Sequence, residues 1–117
     1  MTTKLEKPIW RPYFDRVSKT LVGKRAEIEV AALNLGAQVE AEWLPLIGIT
    51  YDPKSDAIEV AVEGHDHLIR KPREVWVEEQ GGELSSLAVV DADGVRQIIT
   101  LKDPLMLPAP RQMKEAG

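Results

Sequence analysis

The chain has 117 residues, carries 19 acidic against 15 basic side chains for a formal charge of −4, and contains no cysteine. One domain of that size removes roughly 65% of its unfolded surface from water without staples, so a disulfide framework is excluded and a reducing compartment fits. The weakly acidic balance opposes unspecific binding to nucleic acid or anionic lipid, and no apolar run approaches the roughly 20 residues of a membrane span.

The opening stretch, Met1-Thr-Thr-Lys-Leu-Glu-Lys-Pro8, has no apolar segment of the signal-peptide kind, and a soluble cytoplasmic protein is expected. Trp10, Phe14, Val17 and Leu21 then follow at spacings of four, three and four, one stripe of a helix. Pro12 is tolerated best in a first turn, so the helix is predicted to start near Arg11 and to stop before Gly23. Arg25 to Leu33 alternates Ala26, Ile28 and Val30 against Arg25, Glu27 and Glu29, a strand with one wet face. Val39 to Tyr51 reads as a long second strand bent at Pro45 or Gly48. By its alternation Trp43 faces inward with Val39 and Ala41; a bend at Pro45 that turned it outward would make it part of a contact surface.

Asp52-Pro-Lys-Ser-Asp56 is turn chemistry, and Ile58, Val60 and Val62 alternate with Glu59 and Glu63 in a third strand. Val75 to Glu79 is a fourth, after Pro72 interrupts the chain. Leu84 to Val90 and Val95 to Leu101 flank Asp91-Ala-Asp-Gly94, a hairpin turn whose Gly suits a left-handed backbone. The fold class is mostly β: an N-terminal helix and a five- or six-stranded antiparallel meander, curled into a small SH3-like or Sm-like barrel that removes its edges. Residues 1–8 are expected as a flexible N-terminus, 9–102 as the single domain and 103–117 as a flexible tail.

Helix-then-strands order resembles that of the Sm-like RNA-binding barrels. That family carries an Asp and, four positions on, an Asn that meets an RNA base; the matching positions are Asp52 and Asp56, the latter charged where the family is neutral. Ile69-Arg70-Lys71 lacks the Gly of the family's second motif, and topology does not carry function with it. A resemblance over nearly the whole ordered chain rests on Tyr13-Phe-Asp-Arg-Val17, Glu42-Trp-Leu-Pro-Leu-Ile-Gly-Ile-Thr-Tyr-Asp-Pro53, Asp66-His-Leu-Ile-Arg70 with Pro72-Arg73, and Val90-Asp-Ala-Asp-Gly-Val95. These stretches are similar to those of a family of short bacterial proteins classed as a domain of unknown function. The resemblance implies a bacterial protein and supplies no catalytic residue.

Chemistry-bearing residues are sparse. His65 and His67, at i and i+2 of an extended segment, point to one side and are candidate metal ligands, which would need carboxylates such as Asp66 or Glu63 to complete a site. The plainer role is a solvated His65 and a His67 bonded to a backbone carbonyl. Arg70, Lys71, Arg73 and Trp76 are candidate ligand-binding residues, since guanidinium groups pair with phosphate and indole stacks on a base. Glu74, Glu78 and Glu79 offset that field, and the plainer account of the segment is an edge guarded against aggregation by charge and proline, with Arg70 or Arg73 paired to a Glu on a neighbouring strand. Asp91-Ala-Asp-Gly94 is no calcium loop, because the twelfth position is Lys102. There is no Gly-x-Ser-x-Gly elbow and no phosphate loop. The expectation is a non-catalytic interaction or scaffold domain without cofactor, its partner a protein or a second copy, with nucleic acid or an anionic ligand as the alternative.

Overall fold

A computed structural model describes residues 2–32 and 36–104. The elements are β1 (Thr2–Leu5), α1 (Lys7–Ser18), β2 (Arg25–Ala32), β3 (Gly36–Asp52), β4 (Ala57–Val62), β5 (His65–Arg70), β6 (Pro72–Gln80), β7 (Glu83–Asp91) and β8 (Arg96–Lys102). The strands form an antiparallel sheet in the order β1-β6-β7-β8-β2-β3-β4-β5. The mostly-β class with one N-terminal helix is as expected, while the strand count among the described residues is eight rather than five or six. The sheet does not close into a barrel: β1 and β5 are its two ends.

The sheet is folded into two leaves by β3, whose first half pairs with β2 and whose second half pairs with β4. The larger leaf holds β1, β6, β7, β8, β2 and the start of β3; the smaller holds the end of β3 with β4 and β5. Inward positions of both leaves, Ile28, Ile49, Ile58, Val60, Ile69, Val75, Leu87, Val89 and Ile99, are fully buried in one core. Gln97 of β8, a buried polar side chain, is bonded through Oε1 to Nε2 of His67 on β5, so the leaves are tied by a satisfied polar contact.

The helix starts four residues earlier than its proline suggested. Pro8 sits in the first turn and Pro12 lies inside, where it lacks the N–H that would bond to the carbonyl four residues back. Burial compensates: Trp10, Tyr13, Phe14 and Val17 all face the core, and Leu21 is buried just beyond the last turn. The helix is pinned at both ends and along its flank. Trp10 Nε1–H donates to the Leu5 carbonyl at 2.9 Å, and Ser18 Oγ both accepts from Ile49 N–H at 3.0 Å and donates to its carbonyl at 2.8 Å. Tyr13 O–H donates to Glu79 of β6 at 2.6 Å. Residues 2–5, expected as part of a flexible lead, form β1 on the edge of β6; of the expected tail, residues 105–117 lie outside the described ones. Among the described residues no helix is long and apolar enough to cross a membrane.

Phe14 is fully buried, so Phe14→Ala should lower stability by about 3 to 5 kcal/mol through lost transfer energy and a residual cavity. Urea denaturation measures it, and a loss under about 1 kcal/mol would mean that the helix is peripheral.

The seat of the helix also sets an alkaline limit. Tyr51, whose ring meets Trp10 edge-on at 5.2 Å, is pushed up to about 12 by burial and by its hydrogen bond to Asp56. Burial and the bond to Glu79 raise Tyr13 further above the ordinary tyrosine value. A phenol with a raised folded pKa contributes stability that is complete below the unfolded value near 10 and lost as pH climbs toward the folded one. Stability should therefore fall between about pH 10 and 12. Tyr13→Phe with Tyr51→Phe should flatten that fall in denaturation midpoints taken at intervals across the window.

Candidate functional site

The arrangement with most chemical content lies on the outer face of the larger leaf. Strand register sets its rows, since directly paired residues of an antiparallel ladder project to the same face. One row crosses six strands: Lys4, Trp76, Ala88, Ile98, Glu29 and Val39. The next holds Glu74, Val90, Arg96, Ala31 and Ala37. On the other side run Thr2, Glu78, Ser86, Thr100 and Glu27. The middle of this face is apolar although it points away from the core. Trp76, Ala88, Val90 and Ile98 are only half-buried, and Val39 is 51% exposed.

Trp76 is held in a fixed pose. Its Nε1–H donates to Glu74 Oε1 at 3.1 Å, and Lys4 Nζ stands 5.8 Å from the ring centroid, a cation on an indole face. Beside it a furrow of about 400 Å³ is lined by Thr2, Ser86, Ala88, Arg96 and Ile98. Ala88 makes the furrow, because its methyl group stands between the bulkier Trp76 and Ile98 in the same row.

Trp43 is half-buried and does not join the core expected from its alternation. Two irregularities in the β2–β3 ladder, between Ala26 and Ile28 and between Ile28 and Glu29, insert extra residues into β3 and reverse its parity. Trp43 sits at one of them with φ of 55°, its carbonyl accepting from Arg25 at 3.2 Å and Lys102 Nζ lying 5.3 Å from its ring. Val39, expected on the same inward face, points outward for the same reason.

The segment 65–76 turns a corner. His65 and His67 share a side as the extended spacing required, with ring centroids 6.1 Å apart. His67 bonds the Gln97 side chain rather than a backbone carbonyl. Among the described residues no group of three or more His, Cys, Asp or Glu could hold a metal ion. Lys71, at φ of 52°, is the single residue between β5 and β6; its N–H donates to the Asp56 carbonyl and its carbonyl accepts from Ala92 N–H, both at 2.9 Å. Arg70 therefore lies on the smaller leaf and Trp76 on the larger. Arg70, Lys71 and Arg73 are exposed, and the groups gathered around Trp76 are Lys4, Glu74 and Arg96 instead.

Lys4, Ala88, Ile98, Glu29 and Arg96 escape a reading by candidate chemistry, but a signal exists. Leu87-Ala-Val-Val90 and Ile98-Ile99 break strict alternation by placing apolar residues at outward positions.

Residues 1–110 match the family of unknown function DUF5335. The chain belongs to that family. An uncharacterised protein of the bacterium Aquifex aeolicus (strain VF5) is 44% identical over 110 residues, covering 92% of this chain and 99% of the relative. No solved structure matches the chain. The DUF5335 match spans both leaves, the helix and the outer face together.

Because Arg70 and Arg73 are exposed, Arg70→Ala with Arg73→Ala should cost less than about 1 kcal/mol. Mixed single-stranded RNA titrated at near-physiological salt should show no binding to lose. Binding that vanishes in the double variant and weakens steeply with salt would assign an anion-binding role to the corner.

Proposed function

We propose that this protein is a non-catalytic interaction domain whose contact surface is the outer face of the larger leaf. The observation that carries the reading is the apolar centre of that face. An antiparallel sheet with one buried side ordinarily presents polar residues on the other, whereas Trp76, Ala88, Val90 and Ile98 form a contiguous group here and a charged rim surrounds them. An apolar centre with an aromatic anchor and a polar rim is the anatomy of a protein interface.

The same leaf is rigid enough for the task. Its inner side is backed by Val75, Val77, Leu87, Val89, Ile99 and Ile28, all buried, and Trp76 is already oriented by Glu74 and Lys4, so little side-chain freedom remains to be lost on contact. The smaller leaf offers Ile47, 68% exposed at the ladder shift between Leu46 and Gly48, and Leu68, 45% exposed and paired with Glu59, with no aromatic anchor on its outer side among the described residues.

Site-specific photo-crosslinking in living bacterial cells tests the reading. A photoreactive residue in place of Ser86, on the outer face, should give a protein adduct, while one in place of Glu59, on the smaller leaf, should give none. Absence of any adduct from position 86, or equal adducts from both positions, would remove the larger leaf as the contact surface.

A further inference from the structure

We infer that the occupant of this face is a second copy of the same chain, in a two-fold dimer whose axis runs between the two sheets, nearly parallel to β7 and over Ala88. The inference rests on the interaction-domain reading and adds to it the identity of the partner.

The charge pattern selects the arrangement. Ala88 is the midpoint of the row Lys4, Trp76, Ala88, Ile98, Glu29, with two strands on each side. Rotation by a half turn about an axis along β7 exchanges the two sides. It lays Lys4 against the partner's Glu29, Trp76 against the partner's Ile98 and Ala88 against the partner's Ala88, each heterologous contact occurring twice, as an isologous interface demands. The adjoining row obeys the same operation: Glu74 and Arg96 flank Val90 at one strand on either side, so Glu74 meets the partner's Arg96. In the third row Glu78 meets the partner's Thr100 and Thr2 meets the partner's Glu27. Every carboxylate of these rows faces a cation or a hydroxyl.

The other in-plane axis fails on the same residues. A half turn about the Trp76–Ala88–Ile98 row sets Lys4 on the partner's Lys4, Glu29 on the partner's Glu29 and Glu74 near the partner's Glu78. Like charges so placed cost several kcal/mol, so the face is self-complementary about one axis and self-repelling about the other. Two twisted sheets stacked about 10 Å apart cross at about 30°, which an axis tilted about 15° from β7 supplies by symmetry. Five strands at about 4.8 Å and three rows about 6.8 Å apart give a patch of roughly 500 Å² per copy, at the lower limit for a specific pair, and a micromolar dimer is expected.

Sedimentation velocity of the full chain from about 1 to 200 μM is the first measurement, with dimer growing across that range. Ala88→Glu, which sets two carboxylates face to face on the axis, should leave monomer throughout, with an unchanged circular dichroism spectrum. The decisive arm uses Lys4→Glu and Glu29→Lys. Each alone should weaken self-association tenfold or more at low salt, because like charges then face each other twice. Mixed together, they should form a heterodimer in preference to either homodimer, since every pair is then opposite in sign. A chain that stays monomeric, a dimer indifferent to Ala88→Glu, or a mixture without preference would overturn the inference. Should the chain be monomeric while position 86 still crosslinks to a different protein, the partner is wrong and the interaction surface stands. A monomer in which a photoreactive residue at position 86 crosslinks to residues 105–117 of the same chain would assign the face to the chain's own C-terminal segment, also against the dimer.

Discussion

The rest of the molecule depends on one strand being too long for one sheet. β3 runs for seventeen residues, its first part paired with β2 and its second with β4, and twist accumulating over that length turns the two parts away from each other. The strand bends at Trp43, whose left-handed backbone and flanking ladder irregularities carry β3 out of the larger leaf, and a further shift between Leu46 and Gly48 completes the passage into the smaller. The helix is then seated on the second half of the same strand through the reciprocal Ser18–Ile49 pair. A Cβ at Gly48 would lie 3.8 Å from Ser18 Oγ, an ordinary contact, so the pair does not depend on a glycine there. Both leaves and the helix therefore refer their positions to β3.

Much of this architecture is legible in the sequence because hydrophobic alternation and turn chemistry act locally. The helix stripe, the Asp52 and Asp91 turns and the shared side of the two histidines follow from spacing alone. Asp52 accepts Lys54 N–H at 2.9 Å and the Ser55 hydroxyl at 3.1 Å, bonds that lower its pKa; Asp91 accepts Asp93 and Val95 N–H. What fails is what depends on distant partners. Pro12 argues locally for a helix start at Arg11, yet the burial of Trp10 and its bond to Leu5 extend the helix back across it. Thr2–Leu5 has no period of its own to distinguish it, and becomes a strand because the β6 edge is free to pair. The parity of Val39 and Trp43 reverses because bulges are set by the ladder with β2, not by β3 itself. Closure failed for a related reason: alternation reports that edges exist, not which strands meet.

The candidate site shows the same division. His65, His67, Arg70, Lys71, Arg73 and Trp76 stand out in the sequence because these residue types carry charge, ligand atoms or a stacking surface. The fold disperses them around the Lys71 corner and binds His67 to Gln97 in the seam between leaves. Trp76 alone of that group sits in the outer-face furrow, and its neighbours there are residues of three other strands. A furrow made by an alanine between a tryptophan and an isoleucine has no motif; it arises from cross-strand register, which no single segment encodes.

An outward apolar group is a hazard as well as an opportunity, because exposed sheet faces and edges invite indiscriminate association. Here the rim limits the hazard. Lys4, Arg96, Glu29, Glu74 and Glu78 encircle the apolar centre, with exposed Thr2 beside them, so a partner must match both a narrow furrow and an alternating set of charges. The edges are treated differently. β1 is four residues long with Thr2, Thr3 and Lys4 exposed, and β5 carries Asp66 and Arg70 outward; short, charged strands of this kind discourage a further strand from adding to the sheet. Strand addition at β1 and β5 is thus discouraged while face contact is shaped, and the selectivity of the surface follows from where charge stands relative to Trp76 and Ala88 rather than from the apolar area alone.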